Sequence, residues 1–221
     1  MKKKKIYTPK DPKKRAKGAI IGLIIHMAAV ALLGVLTLVQ LTKLLGMGSQ
    51  DLIDGLPPGF EPYVLLYGLA AILYLATLVV HLVLFLMWVH RANRNAQSLS
   101  SGMDVSPGWN VGFFFVPFAS LWKPFQGLDQ TWRVSTDPIR WRGLDAPSML
   151  RWWWGFHLTA NITGSLSNMA SRTLTSGGQT ASAIITIICF VTSLAAGVLA
   201  IRMIRQVTDL QVSSLNAAAF T

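Results

Sequence analysis

The stretch Tyr63–Val89 reads YVLLYGLAAILYLATLVVHLVLFLMWV and holds no Asp, Glu, Lys or Arg. A helix needs about 20 mostly apolar residues to cross a hydrocarbon core of about 30 Å. This stretch exceeds that need, so lipid is expected to be the main solvent of the fold. Without water, backbone N–H and C=O groups must bond within the segment, which selects an α-helix.

Working outward, three more segments fit the same template. Ala19–Leu45 is interrupted only by His26, Gln40 and Lys43; Arg151–Arg172 is richer in Thr, Ser and Asn; Ala181–Met203 is almost wholly apolar. The composition agrees. Of 221 residues, 52% are hydrophobic and 13% charged, against about 25% charged in soluble domains. The Ala19–Leu45 run is longer than the roughly 7–15 apolar residues of a signal sequence, so it is expected to be a retained span. The single cysteine, Cys189, allows no internal disulfide and reads as a small packing residue.

Orientation follows from Lys and Arg, which favour the cytoplasmic side. Nine of the 20 basic residues lie in the first 17 positions. With that tail inside, the segment Gly46–Pro62, with Asp51, Asp54 and Glu61 and no Lys or Arg, lies outside. Tyr63–Val89 then returns to Arg91 and Arg94. If the short run Trp109–Trp122 does not cross, 18 of the 20 basic residues are cytoplasmic, leaving Lys43 and Arg172. If it crosses, Lys123 to Arg151 and Arg202 to Arg205 move outside. Four spans therefore fit best. All eight tryptophans lie between Trp88 and Trp154, which places an aromatic belt on the same inner side.

The expected fold is an all-α integral membrane protein: a four-span bundle (19–45, 63–89, 151–172, 181–203) within a membrane domain 19–205. A basic cytoplasmic tail 1–18 precedes it and a cytoplasmic tail 206–221 follows. Segment 107–135 is expected to be a re-entrant or interfacial element. Ser106-Pro107-Gly108 reads as a turn, Pro117 as a break and Pro124 as the first turn of a helix. In that helix Trp122, Phe125, Leu128 and Trp132 line one face, while Lys123, Gln126, Gln130 and Arg133 line another, the pattern of an interfacial amphipathic helix. Thr136-Asp137-Pro138 ends it.

The run WVHRANRNAQSL (Trp88–Leu99), followed by SPGWNVGFFFVPFASLWKPFQGLDQTWRVS (Ser106–Ser135), resembles the bacterial DUF4328 membrane-protein family. The resemblance is specific over these residues and looser over Arg151–Gln211. It implies a fold and a bacterial source; with the orientation read from Lys and Arg, the expected location is the bacterial cytoplasmic membrane with both termini inside. That family has no assigned activity, so the resemblance supplies no catalytic residue.

Three of the four histidines, His26, His81 and His157, fall within the expected spans. At about 1.5 Å per residue they lie roughly 9–12 Å below the inner interface. Imidazoles at one depth could ligate haem or a metal; the bland reading is hydrogen bonding between helices, and no carboxylate at that depth supports a ligand set. No cofactor is therefore expected. His157, Asn161, Ser165, Asn168 and Arg172 form a polar stripe, read either as a cavity for a small solute or as interhelical bonding, the second being preferred. Ser182, Thr186, Cys189, Ser193 and Ala196, and the Gly18-x-x-x-Gly22 pair, read as close-packing faces. Tyr67, Tyr74, His81 and Trp88 recur every seven residues, as a helix seam would.

Arg91, Arg94, Trp109, Trp122, Lys123, Trp132 and Arg133 make a basic, aromatic surface that could hold anionic lipid headgroups or a partner. The basic tail reads as topology, and no nucleic-acid partner is expected. There is no Walker loop, Gly-x-Ser-x-Gly, His-Glu-x-x-His or Cys-x-x-Cys sequence. The expected function is a non-catalytic accessory or scaffold subunit that binds inner-leaflet lipid, other membrane subunits or itself. A small transporter or channel using the polar stripe, and a haem-binding redox protein, are the alternatives.

Overall fold

The apolar run at Tyr63 seeds one long helix, and its neighbours do the same. The computed structural model describes residues 7–45, 61–172 and 176–218. In chain order these residues form α1 (Lys13–Leu45), α2 (Glu61–Leu99), α3 (Pro107–Gly112), α4 (Lys123–Thr136), α5 (Ser148–Ala170) and α6 (Ser176–Ala218). Short 3₁₀ turns lie at Ala119–Leu121 and Trp141–Gly143. Among the described residues there is no strand. Three stretches, Lys13–Lys43, Glu61–Leu99 and Gly177–Asn216, are long and apolar enough to cross a membrane. The acidic positions Asp51 and Asp54 lie outside the described residues.

The helix α5, with 23 residues, would extend about 35 Å at 1.5 Å per residue. It lies outside the apolar set because Arg151, Thr159, Asn161, Thr163, Ser165, Ser167 and Asn168 dilute it.

Several boundaries differ from the sequence reading. The first helix begins at Lys13, inside the expected tail, where the Asp11 carboxylate accepts from Lys13 N at 2.8 Å and Pro12 opens the first turn. The last helix continues past Met203 to Ala218, so most of the expected C-terminal tail is helical. Its buried Ile204, Val207 and Gln211 explain this, since one face at helical spacing still has a core to cover. Ser106 is not part of a turn but the N-cap of α3, with Pro107 in the first turn. The run Trp109–Trp122 is not one helix. It passes from α3 through turns to a 3₁₀ segment, and Phe118 adopts φ 61°, a left-handed backbone rare for a bulky residue.

The chain divides into two units. One, the charged unit, comprises Met1–Leu23, His81–Trp154 and Val198–Thr221; the other, the apolar unit, comprises Ile24–Val80 and Gly155–Gly197. Among the described residues every Lys and Arg except Lys43 and Arg172 belongs to the charged unit.

In the apolar unit, Leu33, Leu36 and Ala70 form a buried cluster. Tyr63, Tyr67, Tyr74 and Phe190 pack against it, which accounts for two members of the seven-residue seam. Tyr63 Oη donates to the Leu36 carbonyl at 2.5 Å. Gly34 leaves room for Phe190, whose ring carbon lies 3.3 Å from where a Cβ would be. The small face of α6 meets α5: Ser167 bonds Ser182 and Thr186, and the Cys189 thiol donates to the Ala160 carbonyl at 3.3 Å. These bonds give Cys189 the packing role expected of it.

In the charged unit, Gly22 lets α1 approach α2 closely. A Cβ at Gly22 would lie 2.8 Å from Leu84 Cδ1 and 3.5 Å from His81 Cα, whereas one at Gly18 would lie 3.8 Å from Leu84. The Gly-x-x-x-Gly signal thus rests mainly on its second member. Replacing Gly22 by Val should overpack this contact and destabilise the detergent-solubilised protein by about 1–3 kcal/mol. Gly68, with nothing within 4 Å of its would-be Cβ, should accept Ala without loss. Equal losses in thermal midpoint at the two positions would rule out close approach as the cause.

Candidate functional site

The end of α2 carries the Arg-Ala-Asn-Arg-Asn run, and its residues sort by angle around the helix. Ala92, Asn93, Asn95 and Ala96 are fully buried, while Arg91, Arg94 and Gln97 are partly so. A buried amide is costly unless bonded, and these amides find partners. Asn93 Nδ2 donates to Thr131 Oγ1 at 3.2 Å, and Gln97 Nε2 donates to Asn93 Oδ1 at 2.8 Å and to the Val105 carbonyl at 2.9 Å. Asn95 accepts from Lys10 N at 3.1 Å and donates to the Lys10 carbonyl at 2.8 Å. The segment before α1 is thereby pinned to α2.

Gln211 of α6 closes the network. Its Nε2 donates to the Ala92 carbonyl at 2.7 Å and to Ser135 Oγ at 3.1 Å, while its Oε1 accepts from Asn95 at 3.2 Å. Nearby, Trp88 Nε1 donates to Thr208 Oγ1 at 3.3 Å. Gln130 of α4 accepts from Asp104 N at 3.0 Å and donates to Asp104 Oδ2 at 2.7 Å, fastening the loop before α3.

This arrangement corrects the expected face of α4. Gly127, Leu128, Asp129, Gln130, Thr131, Val134 and Ser135 are buried, so a polar face points into the unit and Trp122 points out. The sequence expectation assumed that polar groups seek water. Here they find partners within the unit: Thr131 meets Asn93 of α2, Gln130 meets Asp104 and Ser135 meets Gln211 of α6.

Asp129 and Arg133 form an ion pair one turn apart. Arg133 also donates to the Leu144 carbonyl at 3.1 Å and lies over the Trp141 ring, 5.7 Å from its centroid. Burial pushes the Asp129 carboxyl above the usual carboxylate range, and the Arg133 guanidinium pulls it back. Three further buried groups, Arg91 Nη1, Arg94 Nε and Asp129 Oδ1, have no hydrogen-bond partner among the described residues. Neither polar atom of the fully buried Asn110 amide has a partner there either; it faces Gly127, where a Cβ would collide with it.

The seven residues expected to form one basic, aromatic surface are split. Trp109 (58% exposed) and Trp122 (52%) face outward, while Arg91, Arg94, Lys123, Trp132 and Arg133 are half-buried. Lys123 donates to Gln126 Oε1 at 3.0 Å, and Arg94 lies 5.7 Å from the Tyr7 ring centroid. Around the two outward tryptophans, Phe115, Phe118 and Leu121 are exposed. Trp154 Nε1 donates to the Leu121 carbonyl at 3.0 Å and anchors this loop to the start of α5.

The polar stripe of α5 faces outward. Asn161, Ser165 and Asn168 are exposed, and the bonds of the first two return to their own helix: Asn161 Nδ2 donates to the His157 carbonyl at 2.7 Å, and Ser165 Oγ to the Asn161 carbonyl at 3.0 Å. The face that meets α6 holds Ala160, Gly164 and Ser167 instead. Their spacing of four and three residues, all small, was the signal to find them.

Each of the three histidines has a neighbour within its own unit. His26 bonds Thr77 Oγ1 at 3.2 Å beside the Tyr74 ring, His157 lies 3.3 Å from the Asn161 amide, and His81 packs beside Phe85. His26 and His157 belong to the apolar unit and His81 to the charged unit. Among the described residues no three of His, Cys, Asp and Glu are grouped so as to hold a metal ion.

A family model described as a domain of unknown function, DUF4328, matches residues 63–209. The chain belongs to the DUF4328 family. No curated protein and no solved structure matches it. The DUF4328 match runs from α2 into α6 and takes in the Asn93–Thr131 and Trp88–Thr208 bonds, but neither Gln211 nor α1.

Gln211 was missed because one glutamine late in a chain carries no pattern. Replacing it with Leu should destabilise the protein by about 2–3 kcal/mol, since several buried polar atoms lose a partner at once. The exposed Gln206→Leu should shift stability by no more than about 0.5 kcal/mol. Thermal unfolding in one detergent compares the two, and similar midpoints would show that the amide network is dispensable.

Proposed function

We propose that this DUF4328 chain is a non-catalytic subunit of the bacterial cytoplasmic membrane that crosses four times and engages a partner's membrane helix through the outer stripe of α5. One observation carries the reading. Asn161, Ser165 and Asn168 point out of a helix flanked by apolar surface such as Ile162, Leu166 and Met169. Amides and hydroxyls are costly against hydrocarbon and lower in energy against another helix that bonds them. A solute path along this stripe would need a second wall from another chain.

The four-crossing count draws support from the two units. Each of α1, α2, α5 and α6 has one part in the charged unit and the other in the apolar unit. With Lys and Arg concentrated in the charged unit, that unit is the cytoplasmic one. The exposed Trp109, Phe115, Phe118 (79% exposed), Leu121 and Trp122 suit contact with the inner leaflet, which makes 107–135 an interfacial element.

Two experiments test these readings. A photoreactive side chain at position 161 should give a membrane-protein adduct of discrete mass in native membranes, and the Asn161→Leu, Asn168→Leu double variant should lose the co-purifying partner. An adduct of twice the chain's mass identifies the partner as a second copy. Lipid adducts alone, or undiminished co-purification from the double variant, would sink the partner reading. Separately, in a Cys189→Ser background, an impermeant maleimide applied to intact cells should label Asp54→Cys and spare Arg140→Cys. The reverse pattern would overturn the orientation.

A further inference from the structure

Lys13 and Lys17 stand one turn apart on α1, and Arg205 and Asp209 one turn apart on α6. With Ile20 and Ile21 they line a groove of about 320 Å³ wholly inside the charged unit, within the roughly 300–1,000 Å³ typical of small-ligand sites. All four charged side chains are exposed. Arg205 and Asp209 have the i,i+4 spacing that favours pairing, yet they do not pair. Elsewhere in the chain residues four and three apart do pair, as in Arg133–Asp129 and Arg140–Asp137. The groove thus keeps three cations and one carboxylate unspent, above isoleucines that begin the apolar run of α1.

The two halves of this lining want different things. A soluble anion would use the cations and gain nothing from Ile20 and Ile21. A neutral acyl chain would use the isoleucines and leave the cations idle. An anionic amphiphile uses both. We propose that the groove binds one anionic phospholipid. Its phosphodiester sits among Lys13, Lys17 and the planar donor fork of Arg205, and its acyl chain runs along Ile20 and Ile21. Asp209 accepts a hydroxyl of the headgroup and opposes a second phosphate. The excess of cations selects against zwitterionic lipid. The site is separate from the exposed aromatic loop and independent of the α5 stripe. It draws most of its lining from α1, which the DUF4328 match leaves out.

The full chain, purified in mild detergent, would be titrated with phosphatidylglycerol and with phosphatidylcholine of the same acyl chains, and adducts counted by native mass spectrometry. Phosphatidylglycerol should be retained over phosphatidylcholine by roughly tenfold or more, given three cations at the headgroup. The Lys13→Gln, Lys17→Gln, Arg205→Gln variant should lose that preference. The variant Lys10→Gln, Lys14→Gln, Arg202→Gln removes the same charge outside the groove and should keep it. Equal loss in both variants, or in neither, would overturn the site. Displacement of phosphatidylglycerol by millimolar inorganic phosphate would reassign it to a free anion. Should the groove variant fail to fold, wild-type protein exposed to phosphatidylglycerol with a photoreactive acyl chain decides the matter: label on the peptide holding Ile20 and Ile21 supports the site, and its absence refutes it.

Discussion

The Gln211 side chain holds the charged unit together. One amide reaches Ala92 and Asn95 on α2 and Ser135 on α4 from its own place on α6. An apolar seam tolerates sliding by a turn, because one leucine resembles another. A buried amide does not, because each slipped register strands a donor or an acceptor at a cost of about 1–3 kcal/mol. The Asn93–Thr131 bond and the Gln130–Asp104 bonds apply the same restriction at neighbouring points. The register of three helices and the position of the loop before α3 follow from a few amides.

Much of the scaffold was legible in the sequence, and the reason is physical. Hydrocarbon is an undemanding solvent, so apolar length alone locates α1, α2 and α6. Pro124 and Asp137 mark the ends of α4 because ring geometry and capping act locally. Gly22 was legible because close approach requires a missing side chain. What hid was anything decided by a distant partner. Gln130 faces inward because Asp104 waits for it 26 positions earlier in the chain. Lys10 sits still because Asn95 holds its backbone across 85 positions. The α5 stripe was legible as a stripe, but its direction was not, since small and polar residues on one helix make two competing faces and only the packing of Ser167 and Cys189 decides between them.

The polar residues of this chain divide into those turned inward and those left outside. Much of the inward set is spent on structure, with Asn93, Asn95, Gln130 and Gln211 hydrogen-bonded and the Asp129 carboxyl paired with Arg133. The outward set, on α5 and along the groove of α1 and α6, leaves hydroxyls, amides and charges exposed.

The left-handed backbone at Phe118 has a mechanical consequence. A ring of this size in that conformation carries a local cost of about 1–3 kcal/mol, sustained by its surroundings. The loop around it is tied down by the Leu121 carbonyl, which Trp154 grips, so its shape is set before it meets anything. A preshaped wedge loses little chain entropy on contact, unlike a floppy hook that must first be ordered. Relaxing that bend with glycine would therefore trade a stiff probe for a slack one while leaving the helices where they are.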